Sequence, residues 1–220
     1  MQTPIDLQEW FGGIDIYIFD QLLKGRFVPG MRVLDAGCGS GRNLVYFLKS
    51  GYEVFGVDES ESAITQTRKL ARALAPQLPA ENFRVEPVER MSFAEANSRQ
   101  QTADSLSDDS AGFDVVLSSA VLHFARDEQQ WQAMVDEMWR VLKPGGIFFA
   151  RLASSIGIEN QVRLIHERRY RLPDGSDRFL VDQEMLHRVT AALGGDFIEP
   201  IKTTVVENLR AMTTWVVKKK

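Results

Sequence analysis

The sequence holds a single cysteine, Cys38, in 220 residues, so no intramolecular disulfide and no Cys-x-x-Cys zinc site can form. Its three histidines, His123, His166 and His187, lack metal-ligand spacing, and no metal is expected. Positive charge is outweighed: 26 Lys and Arg against 30 Asp and Glu leave a net charge of −4, which argues against a general nucleic-acid binder with a basic face. The closing Lys218–Lys220 is the one basic run and reads as a solvated tail. No apolar run approaches the length needed to cross a bilayer. The opening MQTPIDLQEW lacks the basic region and apolar stretch of a signal peptide. What these absences leave is a cytoplasmic, single-domain chain, monomeric or homodimeric, with no nucleic-acid or membrane partner.

What is present suits a globular core: 44% of residues are apolar and 25% charged. Strand-like runs alternate with helical patterns, which predicts a parallel sheet with crossover helices. The runs are RVLDA (32–36), EVFGVD (53–58), FRVEP (83–87), FDVVLSS (113–119) and GIFFARLA (146–153). Leu44, Phe47 and Leu48 share helical spacing, with Gly51 as C-cap. Ser60 is the expected N-cap of a helix burying Ala63, Ile64, Thr67, Leu70, Ala71 and Leu74. Asp127 opens another, with Trp131, Met134, Val135, Met138 and Val141 in period, ending near KPGG (143–146).

The flanks break this alternation. Residues 1–30 form an expected helical cap, with two short aromatic-rich helices parted at Gly12–Gly13. Residues 94–112 are polar and aperiodic and read as a mobile loop. Residues 156–181 read as a lid insert in which PDG turns between two short strands. Residues 182–220 are expected to form a helix from Asp182 to Leu193 and then an antiparallel hairpin.

Residues 33–43, VLDAGCGSGRN, place Gly37, Gly39 and Gly41 at every second position after an apolar run. The spacing departs from the NAD fingerprint, whose sixth place is Gly or Ala and here is Arg42. It also lacks the Gly-Lys-Ser/Thr ending of a P-loop. Asp35 precedes the glycines; a carboxylate there would repel a pyrophosphate and suit a cationic ligand bearing an ammonium and a sulfonium. It can equally accept hydrogen bonds from the loop's own N–H groups. Asp58 ends the second strand, where an acid can accept hydrogen bonds from both hydroxyls of a ribose.

VLDAGCGSGRN, VFGVDES, FDVVLSSAVLHFARD and RVLKPGGIFF, in that order over about residues 31–153, resemble the successive motifs of class I S-adenosylmethionine-dependent methyltransferases. The resemblance implies an α/β fold, a Rossmann-like three-layer sandwich with a mostly parallel seven-stranded sheet and an antiparallel last strand. It also implies S-adenosylmethionine as cofactor, leaving as S-adenosylhomocysteine, across the C-terminal ends of strands one to four. Carried over by position, Gly37, Gly39 and Gly41 are the turn under the methionine part, with Cys38 and Asn43 in the same turn. Asp58 becomes the ribose acid, and Glu59 and Ser60 border the adenine. In EPVERMSF, Val88 stands where an aspartate is common, so Glu89 and Arg90 are the candidates for the adenine amino group. Ser118 and Ser119 close the fourth strand beneath the methyl. Cys38 reads as a small buried thiol and not a nucleophile.

The expected reaction is methyl transfer by in-line displacement to a small molecule. A neutral nucleophile would need a base, and His123 is the nearest candidate, with a packed, hydrogen-bonded histidine as the other reading. The Asn/Asp-Pro-Pro-aromatic motif of enzymes acting on base amines is missing, as are a Pro-Cys pair and a magnesium-type carboxylate cluster. Trp10, Phe11, Tyr17, Phe124, Arg169 and Tyr170 are the candidate acceptor contacts. GRNLVYFLKSGYEVFGVD and NLRAMTTWVVKK are also similar to tellurite-resistance-type and thiopurine-type methyltransferases. Two alternatives stand: a non-catalytic relative that binds the cofactor or a protein partner, and an NAD(P)-dependent oxidoreductase. The latter lacks its Tyr-x-x-x-Lys pair here.

Overall fold

The main sheet runs in the order β10 (Lys202–Val206), β11 (Arg210–Lys219), β5 (Leu142–Ser154), β4 (Phe113–Ser119), β1 (Arg32–Ala36), β2 (Glu53–Asp58), β3 (Phe83–Val85), so β1 is flanked on both sides. The computed structural model describes residues 6–96 and 112–220; most of the expected loop at 94–112 lies outside them. Strands β2 (Glu53–Asp58), β3 (Phe83–Val85), β4 (Phe113–Ser119) and β5 (Leu142–Ser154) run parallel to β1. The last strand, β11 (Arg210–Lys219), is antiparallel to β5. Its other edge pairs with β10 (Lys202–Val206) at one end and β9 (Gly195–Phe197) at the other. Together β9 and β10 occupy one sheet position, interrupted around Pro200, which has no N–H for a ladder. Seven positions with the last strand reversed are those the sequence led us to expect.

Side chains alternate across this sheet as strand geometry demands. Leu34 and Ala36 of β1 join one buried cluster with α5 (Glu128–Val141) and α6 (Gln183–Ala192), through residues such as Trp131, Met138 and Leu186. Val33 joins the other, with α2 (Ile16–Leu23), α3 (Val45–Lys49) and α4 (Glu61–Leu74), through Ile18, Phe47 and Ile64. Three layers result. Caps fall where the sequence places them: Ser60, Asp127 and Asp182 accept from the backbone N–H groups of Ala63, Gln130 and Met185. The short α1 (Leu7–Phe11) and α2 are parted at Gly12–Gly13.

Some boundaries differ. The fifth strand begins at Leu142, directly after α5, and so runs through Lys143–Gly146. The third stops at Val85 instead of Pro87. The PDG turn joins two short antiparallel strands as expected, β7 (Arg169–Arg171) and β8 (Asp177–Phe179), and β6 (Arg163–His166) adds a third strand to this separate sheet. The side chains of β6 are all exposed, so the strand carries no apolar alternation to reveal it.

Candidate active site

Every described element of the site sits at the C-terminal edge of the parallel strands, where loops leave the sheet. The turn after β1 is pinned to its neighbour: the N–H groups of Gly37 and Cys38 both donate to Val57 O, at 2.8 and 2.9 Å. Gly37 has φ +82°, and a Cβ there would lie 2.4 Å from Val121 Cγ2, so only glycine fits. Gly41 packs on α4, where a Cβ would come within 3.0 Å of Leu70 Cδ2. Thr67 Oγ1 donates to Gly39 O at 2.8 Å. Cys38 is buried behind the turn, and burial pushes its thiol well above the usual range. That agrees with a packing residue and not a nucleophile.

Asp35 is 1% exposed, and neither carboxylate oxygen has a hydrogen-bond partner. Burial pushes its pKa up to about 7, while the Arg42 charge and the Asn43 amide, the latter outside hydrogen-bond geometry, pull the other way. The reading of Asp35 as an acceptor for the loop's own N–H groups is therefore not met. Asp58 takes that part instead, accepting from Gly39 N and Ser60 N, each at 2.9 Å.

A cavity of about 360 Å³ opens over the turn. Gly37, Gly39, Asp58 and Glu59 form one wall. Val88, Glu89 and Met134 form another, with Gln130 Nε2 donating to Glu89 Oε1 at 2.8 Å. Phe124, 60% exposed, stands at its edge. A second cavity of about 260 Å³ shares Ala120 with the first and is lined by His123, Arg151, Asp174, Arg178 and Arg210. Ala120 holds φ +64°, a left-handed conformation that costs a non-glycine residue about 1 kcal/mol or more. Its N–H donates to Arg151 O at 2.8 Å.

His123 is buried, and its Nδ1 accepts from Ala153 N at 3.3 Å. An accepting Nδ1 leaves the ring proton on Nε2, so the imidazole is a donor. Burial, then the charges of Arg178 and Arg151, push its pKa down to about 4. Of the two readings of His123, the geometry matches the packed, hydrogen-bonded histidine, and a pKa this low makes the ring a weak base.

The remaining expected contacts divide. Asp58, Glu59, Glu89, Gly37, Gly39 and Phe124 meet at the first cavity. Ser60 caps α4, and Arg90 is exposed and outside the cavity wall. Ser118 Oγ is buried without a partner. Ser119 Oγ accepts from Arg42 and donates to Asp15, both at 3.3 Å, while Asn43 Oδ1 accepts from Asp15 N at 3.0 Å. Both therefore serve to tie the N-terminal helices down. Of the acceptor candidates, Trp10 lies near Lys49, Phe11 stacks on Tyr46, and Tyr17 lies under the Arg151 guanidinium. Arg169 donates to Ala125 O at 2.9 Å, and Tyr170 packs with Leu172 and Leu180. These five are packing or anchoring residues outside both cavity walls. Asp15, Arg151, Arg178 and Arg210 went unnoticed, although a charge at Arg151 inside GIFFARLA was a usable signal. Among the described residues no group of three His, Cys, Asp or Glu side chains could hold a metal ion. Nor is any helix among them long and apolar enough to cross a membrane.

The sequence pattern of the family described as "Methyltransferase domain" matches residues 34–150, more than half of the chain. An uncharacterized methyltransferase of Synechocystis is 34% identical over 120 residues, covering 54% of this chain and 46% of that protein. A ubiquinone biosynthesis O-methyltransferase of Mesorhizobium japonicum is 29% identical over 86% of this chain and 72% of its own length. The chain thus spans about half of the first relative and nearly three quarters of the second. Among solved structures, the PH0226 protein of Pyrococcus horikoshii superimposes with a TM-score of 0.68 at 19% identity, over 97% of this chain and 96% of that one. Magnesium protoporphyrin IX methyltransferase of Synechocystis, solved with bound S-adenosylmethionine, does so with a TM-score of 0.64 at 14% identity, over 93% and 77%. At those identities the likeness is one of fold.

Proposed function

This chain belongs to the methyltransferase-domain family, as a class I S-adenosylmethionine-dependent enzyme, and from that premise we propose that it methylates a small molecule by in-line displacement. The observation that carries the reading is the meeting of two cavities at Ala120, one suited to the cofactor and one beside it for the acceptor. The donor side fits what lines it. Asp58 and Glu59 offer carboxylates to a ribose, and Val88 and Met134 offer apolar surface to a purine beside the Glu89 carboxylate. Gly37 and Gly39 allow close backbone approach. Asp35, buried and unpartnered beneath the turn, favours a ligand with positive charge there.

Gly37, Gly39, Asp58 and Glu59 would hold S-adenosylmethionine, which would supply an activated methyl group, with the electron pair of the sulfur–carbon bond left on sulfur and any proton of the acceptor released to bulk solvent as product leaves. The chain's share is alignment and exclusion of water. Ala120 and the Leu122–Phe124 turn divide donor from acceptor. The buried His123 ring presents a donor, able to orient an acceptor oxygen. Strands β6–β8 act as the lid, anchored by Arg169 on Ala125 O.

Calorimetric titration with S-adenosylmethionine, S-adenosylhomocysteine and NADH, on wild type and Asp58→Ala, tests the donor side. Binding of both sulfur ligands, weakened at least tenfold by the substitution and absent for NADH, is expected. Cofactor consumption with pooled small thiols, amines and phenols then tests transfer. No binding by folded protein would overturn the cofactor assignment. Binding without turnover on any acceptor would leave a cofactor-binding relative that does no chemistry.

A further inference from the structure

We propose that the second cavity binds an anionic group of the acceptor, a carboxylate or phosphate, on the guanidinium groups of Arg178 and Arg210. The proposal rests on the methyl-transfer reading and adds the chemical class of the acceptor.

Three arginines reach this cavity from three separate segments: Arg151 from β5, Arg178 from β8 and Arg210 from the start of β11. One carboxylate shares the wall, Asp174. Its Oδ1 accepts from Ser176 N at 2.9 Å and Ser176 Oγ at 2.6 Å, and those bonds, followed by the Arg178 and Arg210 charges, hold its pKa below the usual carboxylate range. Arg151 is paired with Asp15 at 2.9 Å. Arg178 donates to the main-chain Asp177 O at 2.8 Å and lies 5.0 Å from the Phe124 ring centroid. Among the described residues neither Arg178 nor Arg210 forms an ion pair within 4.0 Å. Three guanidinium groups against the carboxylates of Asp174 and Asp15 leave the cavity one positive charge in excess, in a chain whose net charge is −4.

Charge gathered in a concavity attracts the opposite charge more strongly than the same charge spread over a convex surface. Guanidinium forks match the oxygens of carboxylate and phosphate, often two bonds at a time. The placement is also right for an acceptor. Arg178 covers Phe124, whose ring edges the first cavity and lies 4.5 Å from that of His123, centroid to centroid. An anion held at Arg178 and Arg210 therefore leaves the rest of a small molecule over Ala120, between the His123 donor and the donor cavity. Neutral acceptors would forgo that anchor.

The test uses the full chain saturated with S-adenosylhomocysteine, titrated calorimetrically with matched pairs. These are 3-hydroxybenzoate and 3-hydroxybenzamide, 3-mercaptopropionate and 3-mercaptopropionamide, and phenyl phosphate and phenol. Wild type is compared with Arg178→Gln, Arg210→Gln, the double variant, and Arg72→Gln on the exposed face of α4 as control. At least one anion is expected to bind tenfold or more tighter than its neutral partner. The double variant is expected to lose about ten- to a hundredfold of that affinity, with the control unchanged. Where a pair is also methylated, the loss is expected in KM with kcat little altered. Equal affinity for anion and neutral partner throughout, or an undiminished preference in a double variant that still binds S-adenosylhomocysteine, overturns the anion site and leaves methyl transfer standing. Failure of the wild type to take up S-adenosylhomocysteine, seen before any anion is added, overturns both.

Discussion

Asp15 Oδ2 meets Arg151 Nη1 at 2.9 Å, joining the N-terminal helices to β5 at the wall of the second cavity. The aspartate has three further tasks. Its Oδ1 caps α2 by accepting from Tyr17 N at 2.9 Å, its Oδ2 accepts from Ser119 Oγ, and its N–H donates to Asn43 Oδ1. Its side chain is 2% exposed, so removing the charge strands Arg151 in a partly buried place. Asp15→Ala is expected to cost about 3–5 kcal/mol in urea unfolding. In a double-mutant cycle with Arg151→Ala the two losses should be far from additive. Additive losses would mean that the pair is not a structural link.

Gly37 and Val121 make a second such pair. Gly37→Ala combines a left-handed backbone at φ +82° with a Cβ 2.4 Å from Val121 Cγ2. The strain of the backbone alone costs about 1–2 kcal/mol. Gly37→Ala should lower Tm and weaken S-adenosylhomocysteine binding by tenfold or more. Adding Val121→Ala should recover the part due to the clash and leave the part due to the backbone. Wild-type affinity in Gly37→Ala would show that the turn shifts freely, against this account.

Asp35 predicts a pH dependence of cofactor affinity. Its folded-state pKa is raised by burial to about 7, from 3.8 for a free side chain. A raised carboxyl contributes stability fully below the unfolded value and loses it as pH rises through about 7, so the ligand-free protein should weaken over that range. A cationic ligand favours the ionised form and acts in the opposite sense. Affinity for S-adenosylmethionine, which carries the sulfonium, should therefore rise with pH by up to about tenfold per unit to about 7 and level off above it, while S-adenosylhomocysteine, without that charge, should show a smaller rise. Asp35→Asn should bind more weakly with no such rise. Parallel profiles for the two proteins would remove Asp35 from this role.

Much of this was legible from the chain because local rules and tertiary ones agree there. Asp35, Gly37 and Asp58 carry their meaning in spacing along two adjacent strands, and a parallel pair at fixed register brings β1 and β2 ends together without further information. Ser60, Asp127 and Asp182 cap helices through contacts three residues away, so sequence alone suffices. The arginine cavity was not legible. Arg151, Arg178 and Arg210 converge only after β11 folds back on β5 and the insert forms its own sheet. Aromatic residues carry a similarly ambiguous signal. Trp10, Phe11 and Tyr17 contact Lys49, Tyr46 and Arg151, and none of the three lines either cavity.

His123 offers the sharpest contrast between motif and geometry. Its place after β4 suggests a base, yet Nδ1 accepts from Ala153 N and the proton falls on Nε2. Burial, with the Arg178 and Arg151 charges adding to it, holds the pKa near 4. A lowered histidine contributes stability above its unfolded value of 6.5 and loses it as pH falls toward about 4, so its charge does not change at neutral pH. The kcat profile on an identified acceptor should show no limb near 6.5 that depends on this residue. His123→Gln, which keeps an N–H donor, should retain kcat within about tenfold, whereas loss of a general base costs about 10²–10⁴. His123→Phe, with no donor, should lose more than His123→Gln. A limb near 6.5 that vanishes in His123→Gln, together with a hundredfold fall in kcat, would restore the base and refute the donor.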